Sequence, residues 1–112
     1  MKIPQDGYLL RIFMGESDRW RGQPLYEAIV FKARELQLAG ATVLRGPMGF
    51  GAKSHLHTAK ILRLSEDLPI VIEIVDAKEK IDALLPHIDE MLLDGLVTLE
   101  RVQVIKYQAN GG

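Results

Sequence analysis

The sequence predicts an α+β domain whose elements follow the order β-α-β-β-α-β. Two segments carry apolar residues at helical spacing, and four segments with alternating or β-branched residues flank and separate them. The chain has 112 residues, which is enough for one hydrophobic core but too few for two. We therefore expect a single domain over residues 1–112, with an ordered core at 7–108 and a flexible tail at 109–112.

The chain begins with a predicted strand and a predicted helix. Side chains alternate between two faces over residues 8–14, which is typical of a strand, and residues 15–18 have turn composition. Pro24 suits the first turn of a helix, and apolar residues then recur at helical spacing as far as Leu38. We predict a helix from Pro24 to Leu38, with Gly40 as its left-handed stop.

The middle of the chain contains two further strands around a glycine-rich loop. A short β-branched strand at 42–45 enters this loop, which spans residues 45–58. Residues 59–64 could return as a strand, which would make the region an extended hairpin arm. Residues 65–69 have turn composition, and residues 70–75 form the clearest strand because nearly all of them are β-branched.

A second helix and a last strand complete the predicted fold. Asp76 and Glu79 are similar to a capping box at the start of the helix. Pro86 lies inside the helical pattern, lacks an amide proton and clashes with the preceding turn, so we expect a kink or a break just before it. We expect the helix to end at Gly95 and the last strand to occupy residues 101–107.

Both faces of the predicted sheet carry apolar side chains. Three isoleucines, at 70, 72 and 74, would face the helices. The opposite face would then carry Leu9, Arg11, Phe13, Val71, Glu73 and Val75. Arg11 and Glu73 could pair there across neighbouring strands. Because a large exposed apolar patch is uncommon on a soluble monomer, we expect self-association to cover this face.

The composition limits the classes of function. The net charge is -1, which argues against a general nucleic-acid binder. The chain has no cysteine, which excludes disulfides and thiolate metal sites and fits a reducing compartment. Residues 1–6 lack the apolar region of a signal peptide, and the longest apolar run is far shorter than the ~20 residues of a membrane span. We expect a soluble cytoplasmic protein that is not an integral membrane protein.

Several motifs resemble those of the PII signalling proteins. They are Leu-Ala-Gly-Ala-Thr-Val at 38–43, Gly-Phe-Gly at 49–51 with Lys53 and His55 after it, and Leu-Pro-Ile-Val-Ile-Glu-Ile-Val at 68–75. The first motif leads from a helix into a strand, and the second lies at the base of a long loop in PII proteins. The spacing between the motifs is also similar, so the resemblance covers the centre of the chain and its element order.

Further motifs resemble an uncharacterised family with a PII-like domain of unknown function, within the PII and copper-tolerance superfamily. They are Gly-Glu-Ser-Asp at 15–18, Pro-Leu-Tyr-Glu-Ala at 24–28, Leu-Arg-Gly at 44–46, His-Thr-Ala at 57–59 and Leu-Arg-Leu-Ser-Glu-Asp-Leu-Pro at 62–69. The resemblance implies a ferredoxin-like two-layer sandwich with an antiparallel sheet, a T-loop-like arm and a homotrimer. It also implies a regulator, not an enzyme, that binds a small nucleotide-type effector in clefts between subunits and signals through a flexible loop to a target protein.

Three departures from the PII pattern concern the phosphates of the ligand. Ala52 and Lys53 stand where PII proteins have Arg-Gln after Gly-Phe-Gly. The loop before the last strand is only 94–96, and the arginine pair of the PII last strand is not reproduced. These departures favour an adenine nucleotide with fewer phosphates, AMP or ADP rather than ATP, and no obligatory cofactor is expected.

The glycine-rich loop is the predicted binding site. Glycines permit backbone conformations that other residues resist and let a ligand approach closely, and free backbone amides can bind anions. Arg45, Lys53, Lys60 and Arg63 supply positive charge around the loop, and Phe50 could stack on a base or simply pack. The predicted ligand-binding residues are Arg45, Gly46, Gly49, Phe50, Gly51, Lys53, His55, His57 and Arg63.

His55 and His57 leave a second interpretation open. On a strand they would face the same side, so the two imidazoles could share a metal that a third contact from another subunit completes. The protein would then be a metal-handling trimer of the copper-tolerance type. No cysteine or nearby acid supports a closed metal site, so our preferred interpretation contains no metal.

The same element order occurs in RNA-recognition motifs and acylphosphatases, and the residues argue against both. RNA-recognition motifs carry their aromatic residues on the third strand, whereas Gly-Phe-Gly here follows the second. An acylphosphatase needs a phosphate-binding loop after the first strand, where residues 15–18 are acidic and would repel phosphate. No nucleophile–base pair is visible by spacing, so we predict no catalytic residues.

Overall fold

The structure is a computed structural model that describes residues 6–49, 57–58 and 67–109, with the pair 57–58 described by its backbone alone. The four main strands are β1 (Asp6–Gly15), β4 (Thr42–Arg45), β7 (Pro69–Asp76) and β8 (Leu96–Gln103). The two helices are α1 (Leu25–Glu35) and α2 (Lys78–Met91). Four two-residue strands form small hairpins: β2 (Arg19–Trp20), β3 (Gln23–Pro24), β5 (Met48–Gly49) and β6 (His57–Thr58).

The main strands form one antiparallel sheet in the order β4-β7-β1-β8. Each neighbouring pair is antiparallel, so β1 runs parallel to β4, and β7 runs parallel to β8. A parallel pair needs a crossover connection, and α1 and α2 supply the two crossovers. The predicted ferredoxin-like β-α-β-β-α-β sandwich is therefore confirmed.

The core lies between the helices and one face of the sheet. Alternate residues of β1 and β7 are buried, and Ile12 and Ile72 at the centre are fully buried. The helices close this core with Leu25, Ala28, Ile29, Ala33, Ile81, Leu84, Ile88 and Met91. Each large apolar side chain buried in this way stabilises the fold by about 1.5–3 kcal/mol. The predicted orientation of the three β7 isoleucines is confirmed.

The opposite face of the sheet, which we call the open face, has a charged centre. Arg11 lies opposite Glu73 in the register of β1 and β7, and Arg11 Nε donates to Glu73 Oε2 at 2.9 Å. Arg11 Nη1 also donates to Glu100 Oε1 on β8 at 2.6 Å. The predicted cross-strand pair is confirmed, and Glu100 extends it over three strands.

Helix α1 ends earlier than the sequence predicts, at Glu35 instead of Leu38. The residue with a positive φ is Gln37, at 64°, and not Gly40. The Gln37 amide donates to the Arg34 carbonyl, and the Leu38 amide donates to the Ala33 carbonyl, both at 3.0 Å. These are the two bonds of a Schellman motif, so glutamine takes the position that glycine usually fills.

Helix α2 does not break at Pro86, and the predicted interruption is wrong. It runs unbroken from Lys78 to Met91, with Pro86 on its exposed side. Its buried stripe packs against the sheet on both sides of the proline, so tertiary packing outweighs the lost backbone hydrogen bond. Within the described ranges, no helix is long and apolar enough to cross a membrane.

The start of α2 also differs from the predicted capping box. The cap residue is Ala77, and no side chain caps the helix. The Asp76 carboxylate is buried and accepts hydrogen bonds from the amides of Ala39, at 2.8 Å, and Ala77, at 2.7 Å. Asp76 therefore fixes the segment that follows α1 to the end of β7.

The last strand and the end of α2 lie several residues before their predicted positions. Strand β8 spans Leu96–Gln103 and pairs with β1 along its whole length, and residues 104–107 are outside it. Gly95 does not end the helix, which stops at Met91. Instead Gly95 passes close to β1, because a methyl group on Gly95 would lie 2.5 Å from the Phe13 carbonyl oxygen.

A short pairing that was not predicted closes the described part of the glycine-rich loop. Met48 pairs with Thr58, and Gly49 pairs with His57. The return strand predicted at 59–64 lies outside the described residues, as does the end of the predicted tail at 110–112.

Candidate functional site

The glycine-rich loop starts from a defined corner of the sheet. Arg45 ends β4 opposite Ile70, and the Gly46 amide donates to the Pro69 carbonyl at 2.7 Å. The chain therefore stays bonded to the residues that precede β7 before it enters the β5–β6 hairpin. We call residues 45–49, together with 67–69, the loop base.

Gly46 and Gly49 both pack on Pro69. A methyl group on Gly46 would lie 2.9 Å from Pro69 Cγ, and one on Gly49 would lie 3.0 Å from the same atom. Neither glycine has a positive φ. The predicted conformational reason for these two glycines is therefore wrong, and close packing against the proline ring is the reason the structure gives.

The turn at 15–18 is hydrogen-bonded to the loop base. The Glu16 amide donates to the Leu68 carbonyl at 2.8 Å, and the Ser17 amide donates to Asp67 Oδ1 at 3.1 Å. A methyl group on Gly15 would overlap the same Asp67 oxygen. The turn and residues 67–68 therefore form one packed unit.

An ion pair joins this turn to Arg45. The Arg45 guanidinium donates from Nη2 to Glu16 Oε2, and the arginine side chain is 54% exposed. A guanidinium carries several N–H donors, so it can still bond to an anion while one edge is occupied. The predicted ligand-binding arginine therefore has a carboxylate partner and a free solvent-facing surface.

Asp18 makes the corner more negative. Its carboxylate accepts a hydrogen bond from the Gly15 amide at 3.1 Å, as the predicted turn requires. Partial burial raises the pKa of Asp18, repulsion from Asp67 and Asp94 adds to the rise, and the Gly15 amide opposes it. The carboxylates of Glu16, Asp18 and Asp67 therefore all belong to this corner.

The structure describes only part of the predicted site. It brings Arg45, Gly46 and Gly49 together at the loop base, and it places the His57 backbone opposite Gly49. The predicted site residues outside the described residues are Phe50, Gly51, Lys53, His55 and Arg63. The described part of the chain holds no group of three or more His, Cys, Asp or Glu residues that could bind a metal. The shared metal site at His55 and His57 stays an untested prediction.

Sequence reasoning missed Glu16 and Pro69 as parts of this corner. The sequence marks Glu16 as a turn residue, yet its side chain contacts an arginine 29 positions further along the chain. Pro69 was missed for the same reason, because its ring packs on glycines that precede it by about twenty residues. Turn composition around both positions was visible, but only the sheet order brings them to one corner.

The chain matches a family of proteins along nearly its whole length. Residues 7–104 match the family DUF190, described as "Uncharacterized ACR, COG1993". A UPF0166 protein of Aquifex aeolicus is 41% identical over 97 residues, which cover 87% of this chain and 91% of that protein. UPF0166 protein MJ1524 of Methanocaldococcus jannaschii is 33% identical over 99 residues, which cover 88% and 91%.

Solved structures show the same fold at lower identity. CPII from Thiomonas intermedia K12, bound to ADP and bicarbonate, superposes with a TM-score of 0.68 at 17% identity, over 90% of each chain. CPII, a nitrogen regulatory PII-like protein, bound to ADP, AMP and bicarbonate, gives a TM-score of 0.65 at 15% identity, over 92% of this chain and 97% of that one. A PII-like signalling protein from Thermus thermophilus gives 0.64 at 17% identity, over 89% and 90%. The chain therefore belongs to the DUF190 (UPF0166) family and has the fold of the PII-like proteins.

Proposed function

We propose that this protein is a PII-like regulator that binds AMP or ADP, in preference to ATP, in clefts between the subunits of a homotrimer. One observation carries the proposal: CPII, whose fold covers 90% of both chains, has been solved with ADP bound. The ligand contacts at the loop base are Arg45, Gly46 and Gly49. The remaining ligand contacts are the other predicted residues, Phe50, Gly51, Lys53, His55, His57 and Arg63. The protein acts as a regulator and not as an enzyme.

The geometry of the loop base supports an anion contact. Arg45 is half exposed and held at the end of a strand, so its guanidinium has a fixed position from which to meet a phosphate. The loop leaves and re-enters through the β5–β6 pairing, which keeps its two ends together. A ligand bound at this base would fix the conformation of the 45–58 loop, and ordering of a loop by ligand contacts is a general switching device. A target protein would read that conformation.

The open face supports the trimer. Leu44 and Leu96, which lie on this face by register with Val71 and Phe13, are 47% and 56% exposed. Among the residues that the structure describes, β4 and β8 are the two edge strands of the sheet. An exposed apolar face and exposed edge strands are features that self-association covers.

Titration calorimetry with AMP, ADP and ATP, and separately with Cu²⁺ and Zn²⁺, tests the proposal. We expect AMP or ADP to bind, ATP to bind more weakly, and His57→Ala to weaken nucleotide binding because the loop returns through this residue. Arg45→Gln should weaken nucleotide binding roughly five- to fiftyfold, since a charge-assisted hydrogen bond is lost. No heat with any nucleotide, together with metal binding that His57→Ala removes, would instead establish the metal-handling interpretation.

A further inference from the structure

We propose that Glu16 sets the nucleotide preference of the site by placing a fixed negative charge beside the arginine that meets the phosphates. The inference rests on the proposed function, and it names the residue that disfavours a ligand with more phosphates. It is carried by the two partners of one ion pair, Glu16 on the turn that follows β1 and Arg45 at the end of β4.

Two hydrogen bonds hold the backbone of Glu16 in place, and one ion pair holds its carboxylate. Its own amide donates to the Leu68 carbonyl at 2.8 Å, and the next amide, of Ser17, donates to Asp67 at 3.1 Å. Its side chain, only 22% exposed, ends in the ion pair with Arg45. The amides of Glu16 and Ser17 are both hydrogen-bonded to the loop base. The Glu16 carboxylate therefore stays within side-chain reach of Arg45 even when a ligand displaces the direct contact.

The consequence of this placement is electrostatic. A phosphate that approaches Arg45 also approaches Glu16, and each further phosphate of ADP or ATP adds negative charge near the same carboxylate. Asp18 lies on the same turn, so the corner holds a second carboxylate close to Glu16 in the chain. AMP meets the least repulsion and ATP the most.

A purely structural role for Glu16 predicts a different result. If Glu16 only held the turn against the loop base, its removal would change the affinity of all three nucleotides by a similar factor. An effect of the Glu16 charge would change the ratio of the three affinities when that charge is removed. It would weaken at high salt, and an aspartate at position 16 would keep it. The ratio of affinities is therefore the quantity to measure.

The experiment compares the wild-type protein with Glu16→Gln and Glu16→Asp by calorimetry with AMP, ADP and ATP at low ionic strength. Glu16→Gln should raise the ATP-to-AMP affinity ratio roughly three- to tenfold, because one unit of repulsion within several ångströms is removed. Glu16→Asp, which keeps the charge, should leave the ratio near the wild-type value. The gain should largely disappear at about 1 M salt, where the screening length is ~3 Å.

Asp82→Asn is the matched control, since it also removes one carboxylate from an exposed ion pair. Asp82 pairs with Lys78 at 2.8 Å in the first turns of α2. These turns follow the end of β7, whereas Arg45 pairs with the start of β7, so Asp82 lies at the far end of the sheet from Arg45. It should leave all three affinities unchanged. Nucleotide binding with an unchanged ratio in Glu16→Gln would overturn this inference and leave the proposed function intact. Absence of nucleotide binding in the wild-type protein would overturn both.

Discussion

Pro69 organises the loop base at the scale of single residues. Its ring fills the space that side chains at two positions of the glycine-rich loop would need, and its carbonyl accepts the Gly46 amide. The two family motifs that contain Gly46 and Gly49 thus have a packing reason that does not depend on a ligand. Glu16 and Arg45, which pair at the same corner, are the residues that we propose determine ligand choice.

The contact of Gly46 and Gly49 with Pro69 leads to a stability prediction. Gly46→Ala should destabilise the protein by about 1–3 kcal/mol, because the added methyl group would lie 2.9 Å from Pro69 Cγ. Gly40→Ala is the control, since nothing lies within 4 Å of a methyl group there. Urea unfolding midpoints measure the difference. Equal stability of Gly46→Ala and Gly40→Ala would show that the packing against Pro69 is unimportant.

The environment of Asp18 leads to a prediction about pH. Burial, aided by Asp67 and Asp94, raises its pKa above the ordinary value of 3.8, so the folded protein binds this proton more tightly than the unfolded chain does. Its contribution to stability therefore falls as the pH rises from 3.8 to the folded pKa, and stays lost above it. Asp18→Asn, whose amide oxygen still accepts from Gly15, should be more stable than the wild type at neutral pH.

Urea midpoints at several pH values test this. The advantage of Asp18→Asn should shrink as the pH falls and vanish below 3.8, where the wild-type carboxyl is protonated in both states. An advantage for the wild type at neutral pH would show that the acidic corner does not oppose the charge of Asp18.

Among the secondary-structure elements, the sequence correctly predicts those that have a clear local periodicity. It misplaces the element boundaries that depend on tertiary contacts. Buried residues alternate along β7 and along β1 from Leu10 to Met14, and the register of the two strands places Arg11 opposite Glu73 as expected. The last strand was misplaced because residues 96–103 lack a clean alternation and are held by pairing with β1. For the site, glycine and arginine positions were visible in the sequence, but their contacts with Pro69 and Glu16 depend on which strands are neighbours in the sheet.

Helix α2 contains a proline whose replacement should stabilise the fold. Because Pro86 is exposed and interrupts the hydrogen-bond ladder of an otherwise continuous helix, Pro86→Ala should raise stability by roughly 1–3 kcal/mol. Pro24→Ala should give no such gain, since Pro24 precedes the first residue of α1, where a proline is well tolerated. Thermal unfolding of both variants is the measurement. A loss of stability in Pro86→Ala would mean that the proline makes a contact that its exposed position does not show.

At the scale of the whole molecule, one surface connects assembly with ligand binding. The open face is apolar around the charged centre of Arg11, Glu73 and Glu100, and it reaches both edges of the sheet. If three copies bury this face, the loop base at one end of the sheet comes next to a neighbouring subunit. The proposed cleft would then exist only in the assembled protein, and dissociation would remove the site without altering the subunit fold.

ADP binding by an assembled and a dissociated form of the protein tests whether the site requires the trimer. Leu96→Asp places a charge on the open face at the edge strand farthest from β4, at a residue that is 56% exposed in the subunit, so the variant should fold and dissociate. Phe31→Asp changes an equally exposed apolar residue, 59% exposed, on α1 and serves as the control. Sedimentation gives the assembly state, and calorimetry gives ADP binding on the same samples.

We expect the wild type and Phe31→Asp to sediment as trimers of the 12.6 kDa subunit and to bind ADP. Leu96→Asp should sediment as a folded monomer that no longer binds ADP. Undiminished ADP binding by the monomer, or a wild-type trimer that binds no ADP, would show that the site does not depend on assembly in this way.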